Sequence, residues 1–168
     1  MPEKETLERA RQDKREGKAA STQAGEFVRE EIEHIREGKH GARSTKQAIA
    51  IGLSKARRAG VPLKPPPPGR TSARTRRSAE RAYEIGQGRR APRAPSPRRA
   101  RAMERALERE PRRAASHAAL AQQARRAAAR RTPAERKRAA KKSIATKGPR
   151  ARSLAAKRAA RTRRRHQG

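Results

Sequence analysis

Positive charge limits how compactly this chain can fold. Its 168 residues include 48 Lys and Arg against 16 Asp and Glu, which gives a formal net charge of +32. Repulsion among so many like charges opposes compaction unless polyanions neutralise it. Large apolar side chains are also scarce, with one Phe, one Tyr and no Trp, so little buried area offsets the entropy lost on ordering the chain. The composition therefore predicts a small ordered part and a disordered remainder.

A proline run in "PLKPPPPGR" divides the chain. Residues 1–69 carry a net charge of +5, whereas residues 70–168 carry +27. The four consecutive prolines at 65–68 favour an extended polyproline II spacer and cannot continue a helix. The predicted organisation is a small helical domain at 1–62, a Pro-rich linker at 63–70 and a disordered Arg- and Ala-rich tail at 71–168.

Two amphipathic helices are predicted before the linker. In "STQAGEFVREEIEHIREG", Ser21 or Thr22 is the expected N-cap, and Gly38 ends the helix. Its apolar residues recur at helical spacing and predict one buried stripe. This stripe consists of Ala24, Phe27, Val28, Ile32 and Ile35.

The second helix lies in "STKQAIAIGLSKARRAGVP". Ser44 and Gln47 fit a capping box at its start, and Gly60 followed by Val61 and Pro62 fits a left-handed stop at its end. The predicted apolar face consists of Ile49, Leu53 and Ala56.

These elements predict an all-α fold. It comprises a small N-terminal helical hairpin, or a three-helix unit if the weaker helix in "ETLERARQDKRE" lies across it. A long, largely disordered basic tail with nascent helices is expected to follow. Two helices alone bury too little area to be firmly stable, so self-association or pairing with a partner through the N-terminal helices is expected.

A helix-turn-helix is the alternative for the second helix. Ala48, Gly52 and Ser54 have the A-x-x-x-G-x-S spacing typical of such turns. Only "KARRAG" remains before Pro62, which is less than two turns of recognition helix. One continuous capped helix is therefore the preferred interpretation.

The sequence predicts no enzyme, cofactor or metal site. There is no cysteine, so Cys-ligated zinc is excluded, and no H-E-x-x-H motif occurs. The histidines, at 34, 40, 117 and 166, are scattered, and "EEIEH" is interpreted as a solvated helix face. No set of nucleophile, base and orienting group is apparent.

Arginine clusters indicate a nucleic-acid partner. Arg outnumbers Lys by 36 to 12, and its planar guanidinium binds phosphate in a bidentate manner. If about ten phosphates were neutralised, affinity for duplex DNA would fall with about the ninth power of salt concentration. The candidate phosphate-binding residues are Arg57, Arg58, Arg76, Arg77, Arg98, Arg99, Arg101, Arg112, Arg113, Arg125, Arg126, Arg130, Arg131, Lys141, Lys142, Arg161, Arg163, Arg164 and Arg165.

Duplex DNA is the expected polymer, because only Phe27 and Tyr83 are available for base stacking. The motif "SPRR" at 96–99 also resembles the basic repeats of histone tails, although it occurs once. Two alternatives remain open. One is an RNA-binding or ribosome-associated protein, and the other is a protein-interaction module in which the acidic helix at 26–37 binds the partner and the tail only localises it.

The N-terminus is charged with both signs, unlike a signal or transit peptide, and the longest strongly apolar run, "AIAIGL", is too short to span a bilayer. We expect a cytoplasmic, nucleoid-associated protein without membrane binding.

The segment "REGKHGARSTKQAIAIGLSKARRAG" resembles a bacterial family of small basic proteins that share a domain of unknown function. The resemblance implies a bacterial source and supplies no functional residues. The tail, including "AAKKSIATKGPRARSLAAKRAARTRRRH", is similar in composition to linker histones and to bacterial linker-histone-like proteins, although those use mostly Lys. This similarity implies DNA compaction.

Overall fold

A computed structural model describes residues 2–94 and 96–165, without the side chains of residues 143, 146, 147, 151, 152 and 165. The described residues form helices and loops, with no strand among them, so the all-α prediction is confirmed for this part of the chain. Their contacts divide the chain into two units, residues 1–123 and residues 124–168.

The described residues contain seven α-helices and one 3₁₀ turn at Arg112–Ala115. Helix α7 is interrupted at Gly148, whose φ of 63° and ψ of 168° are not helical, and Pro149 follows directly. The helices are α1 (Lys4–Arg15), α2 (Ala20–Glu37), α3 (Thr45–Arg58), α4 (Ala73–Gly86), α5 (Pro97–Glu108), α6 (His117–Ala129) and α7 (Pro133–Arg165).

The prediction of a long, largely disordered tail with nascent helices is wrong. Four helices, α4 to α7, occupy most of the described residues after 72. One reason is local, because alanine and arginine both have high helix propensity. The other is tertiary, because the 3₁₀ turn and α4 pack on α2 and α3, and Ala79, Ala82, Ala114 and Ala115 become buried. Each alanine buries little area, but its small side chain fits a close-packed interface between helices.

Helix α2 is the centre of the first unit, with α1, α3 and the 3₁₀ turn packed against it. One apolar cluster joins α2 and α3 to the 3₁₀ turn and consists of Ile32, Ile35, Ala42, Ala48, Ala114 and Ala115. The other joins α1, α2 and the end of α3 and consists of Ala10, Ala24, Phe27, Ala56 and Val61. The predicted stripe on α2 is therefore in the core, with Val28 only partly buried.

The predicted ends of α2 and α3 are confirmed. Gly38 has a φ of 83° and Gly60 a φ of 88°, and each helix closes with a Schellman pair of hydrogen bonds. After α3, for example, the Gly60 N–H donates to the Arg57 carbonyl and the Val61 N–H to the Ala56 carbonyl. Val61 is buried, as the predicted contact requires.

Helix α3 is continuous through Gly52, in agreement with the preferred interpretation. Its buried face differs from the predicted one, because Ala48, Gly52 and Ala56 are buried while Ile49 and Leu53 are only partly so. A Cβ at Gly52 would lie 2.7 Å from the Val28 Cα, so the missing side chain lets α3 approach the α2 backbone closely. The A-x-x-x-G pattern serves helix packing here.

Helix starts were predicted with mixed success. Ser44 accepts from the Gln47 N–H at 3.3 Å, but the Gln47 amide oxygen accepts from the Arg43 N–H rather than from the N-cap residue itself. The Ser21 or Thr22 cap is wrong, because α2 begins at Ala20 with no side-chain cap. "SPRR" begins α5, where Ser96 Oγ accepts from the Arg99 N–H at 3.3 Å and Pro97 occupies the first turn.

Candidate nucleic-acid interface

Most of the predicted phosphate-binding residues have exposed side chains. They are Arg58, Arg77, Arg98, Arg99, Arg101, Arg112, Arg113, Arg125, Arg126, Arg130, Arg131, Lys141, Lys142, Arg161, Arg163 and Arg164. The predicted role of Arg165 lies outside the described side chains.

Two predicted residues are used inside the fold. Arg57 is 7% exposed, its Nε donates to the Leu63 carbonyl at 3.1 Å, and burial lowers the pKa of its guanidinium. Arg76 is half-buried and pairs with Glu80 at 2.7 Å. Arg57 is therefore not accessible to a phosphate, whereas Arg76 would have to exchange its partner.

In the first unit, α4 has one buried face and one exposed face that carries arginines. Ala79 and Ala82 are buried, and Gly86 lies against the Arg57 carbonyl. Arg74, Arg77 and Arg81 are exposed and lie within about 60° of one another around the helix axis. Packing on α3 thus orients an arginine row away from the core.

Helix α5 carries a similar row, made of Arg98, Arg101 and Arg105. All residues of α5 are exposed except the half-buried Leu107, which lies with Glu110 against the connection before α3. There the Gly41 N–H donates to the Leu107 carbonyl at 2.8 Å.

The second unit is the most basic part of the chain. Residues 124–168 contain 18 Lys and Arg and one acidic residue, Glu135. Glu135 completes the capping box of α7, in which the Thr132 N–H donates to its Oε2 at 2.8 Å and its own N–H donates to Thr132 Oγ1 at 3.2 Å. The acidic residue is thus used to start the helix.

After the break at Gly148, α7 carries a straight array of positive charges. Arg150, Lys157, Arg161 and Arg164 are exposed and lie within about 60° of one another around the helix axis. The array is about 21 Å long. We call these four residues the α7 array.

Acidic residues of the first unit are partly turned inward. Glu30 and Glu31 are each 1% exposed, and Lys55 of α3 pairs with them at 3.1 Å and 2.8 Å. Burial by itself would raise the pKa of Glu30, but hydrogen bonds from the Glu3 N–H, Lys55 and Thr6 outweigh it and lower this pKa. Burial would likewise lower the pKa of Lys55, but the two carboxylates raise it. The interpretation of "EEIEH" as a solvated face is therefore wrong for Glu30 and Glu31.

The fold also brings His34 and His40 together beside Glu31, with the two imidazole ring centres 6.2 Å apart. The sequence does not predict this group, because His40 follows the helix stop at Gly38 and only the folded connection returns it to α2. The one signal in the sequence was the spacing of Glu31 and His34, which places both on one side of a helix. His117 lies apart on α6, and His166 lies outside the described residues.

In the described part of the chain, no helix is both long and apolar enough to cross a membrane. A model of a family of unknown function (DUF6496) matches residues 5–67. Those residues cover α1 from its second residue, all of α2 and α3, and the first three prolines of the run at 65–68. No curated protein and no solved structure shows a significant match to the chain.

Proposed function

We propose that this protein is a non-enzymatic DNA-binding protein that contacts the phosphates of the duplex with little sequence specificity. The observation that carries the proposal is the charge of the second unit, where exposed Arg and Lys side chains recur along helices with a single acidic residue among them. Each residue that neutralises a phosphate releases condensed counterions, and this gain in entropy requires no contact with a base.

Like charges on one helix face make a polyanion the natural partner. Lys157 and Arg161 are four residues apart, as are Lys137 and Lys141, and like-charge pairs at this spacing destabilise a helix by about 0.2–0.5 kcal/mol each. Phosphates placed between the charges convert this repulsion into attraction. Binding should therefore also stabilise α7.

The length of the α7 array suits a duplex. Over about 21 Å, a duplex presents about 12 phosphate charges, because one charge occurs per 1.7 Å of its axis. The remaining positions around this part of the helix include the small residues Ala155, Ala156, Ala159 and Ala160. A helix with small side chains between its arginines is narrow enough to lie along a major groove about 12 Å wide.

The aromatic residues favour a duplex over a single strand. Phe27, the only Phe, is 1% exposed, and Tyr83, the only Tyr, is half-buried in α4. The chain contains no Trp. Single-strand readers stack bases on exposed aromatic rings, and neither ring is placed to serve as such a platform.

The burial of Glu30 and Glu31 weighs against the alternative that the acidic helix recruits a protein. Their carboxylates are paired with Lys55 within the fold, so α2 does not present a continuous acidic face. A partner that recognised these two charges would first have to separate α2 from α3.

The proposal extends to source and location. The segment at 36–60 is proposed as the shared signature of a bacterial family of small basic proteins, and the protein as nucleoid-associated. The segment contains both left-handed stops, Gly38 and Gly60, and the close contact at Gly52. These three glycines shape the helix ends and the packing of α3 on α2, and the basic helices after the segment supply the DNA contacts.

The test measures the affinity of two full-length proteins for duplex DNA across a salt series. One is the wild type, and the other is a variant in which the four residues of the α7 array are changed to Gln. Glutamine keeps high helix propensity, so the change removes charge without breaking the helix. If all four residues contact phosphates, the slope of log affinity against log salt should fall by about 3 to 4 units. The matched control changes Lys4, Arg11, Lys14 and Lys46 of α1 and α3 to Gln, which removes the same charge from exposed positions.

Three outcomes would contradict the proposal. The first is that the wild-type protein fails to bind duplex DNA at low salt. The second is that the two variants lose affinity for DNA equally. The third is that a structured RNA displaces the DNA at equal phosphate concentration. The second outcome means that only net charge matters, and the third favours an RNA ligand.

A further inference from the structure

Three metal-ligand side chains meet at the end of α2. Glu31 and His34 lie one turn apart on the helix, and His40 lies in the connection to α3. One ligand atom of each lies within 4.8 Å of the others. The Glu31 side chain is 1% exposed, and the imidazoles are 14% and 19% exposed, so the group is enclosed on the carboxylate side and reachable from solvent on the histidine side.

Glu31 presents a carboxylate oxygen without a hydrogen bond. Within the described part of the chain, neither of its buried oxygens has a well-aligned hydrogen bond: Oε2 forms an ion pair with Lys55 Nζ at 2.8 Å, and Oε1 lies 3.4 Å from Nε2 of His40. A buried carboxylate oxygen left unsatisfied destabilises the fold by about 1–3 kcal/mol, or more because it is charged. A cation bound at Oε1 would therefore compensate for the missing hydrogen bond.

The hydrogen bond on the far side of His40 determines which of its nitrogens is free. Nδ1 lies 3.1 Å from the Gly41 carbonyl oxygen, which can only accept, so Nδ1 carries the proton. In the neutral imidazole, Nε2 then carries a lone pair and lies 3.4 Å from Glu31 Oε1, whose lone pairs are also unshared. Two such atoms repel at 3.4 Å unless a cation lies between them, and about 3.3 Å is the separation of two ligands in a tetrahedral zinc site.

His34 is oriented in a similar way. Its Nε2 lies 2.8 Å from Glu3 Oε1, so a neutral His34 donates from Nε2 and keeps its lone pair on Nδ1. Metal-binding histidines almost always donate their second N–H to a carboxylate or a backbone carbonyl. Here His34 has a carboxylate acceptor, Glu3, and His40 has a backbone carbonyl acceptor, that of Gly41.

We propose that Glu31, His34 and His40 bind one Zn²⁺ ion, with water as the fourth ligand. Two imidazoles and a carboxylate form a donor set that suits zinc, which accepts three protein ligands and a water. Charge also favours a divalent cation, because four carboxylates meet two ammonium groups in the ion pairs around the site. The groups are Glu3, Glu30, Glu31, Glu37, Lys39 and Lys55.

Zn²⁺ binding would hold the connection between α2 and α3 in one conformation. His40 belongs to this connection, whose Gly41 and Ala42 N–H groups donate to the Leu107 and Pro111 carbonyls. A metal bridge from His40 to α2 therefore stabilises the contact between the N-terminal helices and the segment before the 3₁₀ turn. The role is structural and separate from the proposed DNA contacts.

The test uses untagged, nucleic-acid-free full-length protein, titrated with Zn²⁺ by calorimetry and with Co²⁺ by visible absorption. We expect one Zn²⁺ per chain, a tetrahedral Co²⁺ spectrum and a Tm that rises with Zn²⁺ and returns with a chelator. H40A and H34A should each weaken Zn²⁺ binding by about 100-fold or more, because first ligands matter at least as much as their hydrogen-bond partners. H117A removes an exposed histidine from α6 and should bind Zn²⁺ as the wild type does.

Folding is checked by circular dichroism in chelator, where the variants should match the wild type. The proposal is overturned if the wild type binds no Zn²⁺, or if H40A and H34A bind it as tightly as H117A.

Discussion

Gly52 of α3 lies against the backbone of Val28 of α2, so that a Cβ at Gly52 would come within 2.7 Å of the Val28 Cα. The Phe27 carbonyl oxygen would lie 2.9 Å from the same Cβ. Both neighbours are backbone atoms of a helix, which cannot move aside as the end of a flexible side chain can. The two central helices of the first unit therefore require the absence of a side chain at this position.

We predict that Gly52→Ala destabilises the first unit. Alanine improves helix propensity by about 1 kcal/mol, but pushing α3 away from α2 costs about 1–3 kcal/mol as an overpacked contact. The net result should be a lower free energy of unfolding in urea. The control is Gly25→Ala in α2, where the new Cβ would meet no other segment of the described chain within 4 Å, and this variant should be more stable by about 0.5–1 kcal/mol. Equal stabilisation by both changes would show that the helices do not cross here.

Gly86→Ala should separate α4 from α3. The new Cβ would overlap the Arg57 carbonyl oxygen, and the Gly60 backbone nitrogen lies 3.0 Å away. Because α4 buries only Ala79 and Ala82, it has little apolar contact with which to absorb the displacement. Amide hydrogen exchange in α4 should accelerate while α1 and α2 keep their protection. Unchanged exchange in α4 would contradict the packing of α4 on α3.

Lys55→Met should destabilise the protein by about 3 kcal/mol, because removing one member of a buried ionic group leaves its partners without compensation. The two partners, Glu30 and Glu31, are each 1% exposed. Methionine keeps most of the aliphatic stem, so the loss reports on the ammonium group. Lys46→Met on the exposed side of α3 is the control and should change the free energy of unfolding by less than about 0.5 kcal/mol. If the two variants have the same stability, the carboxylates are not paired with Lys55.

Thr45→Val should weaken the contact between the start of α3 and the 3₁₀ turn. The buried Thr45 Oγ1 donates to the Ala114 carbonyl at 2.7 Å, across 69 residues of sequence. Valine has the same shape but cannot donate, so the carbonyl loses this donor and stability should fall by about 1–2 kcal/mol. Thr22→Val, at an exposed position of α2, makes the same chemical change and should have little effect. Chemical denaturation of the two variants, followed by circular dichroism, provides the comparison.

Local patterns in the sequence predicted the helices and several of their ends. The stops at Gly38 and Gly60 and the cap at Ser44 are made by hydrogen bonds that span at most five residues, and the stripe from Ala24 to Ile35 has the local spacing of one helix face. These interactions are the same in any tertiary context, so residue spacing is sufficient to predict them. The missed start of α2 is instructive, since Ala20 begins a helix without a capping side chain although Ser21 and Thr22 follow.

Composition does not predict the helices and buried alanines in the second half of the chain. High charge and few large apolar residues predicted disorder, yet Ala79, Ala82, Ala114 and Ala115 are buried. Alanine contributes little area, so a composition argument gives it little weight. A close contact between helices needs a small side chain, and the place where such a contact forms depends on the approach of distant segments.

The sequence by itself determined the helical class, the main helix stops and the concentration of positive charge after the proline run, because these follow from local propensity, spacing and residue counts. Only the tertiary structure decided that α3 buries Ala48 and Gly52 rather than Ile49, that Arg57 is enclosed, and that Glu31, His34 and His40 meet. Each of these depends on how closely two backbones approach, and that distance is set by packing between segments far apart in the chain.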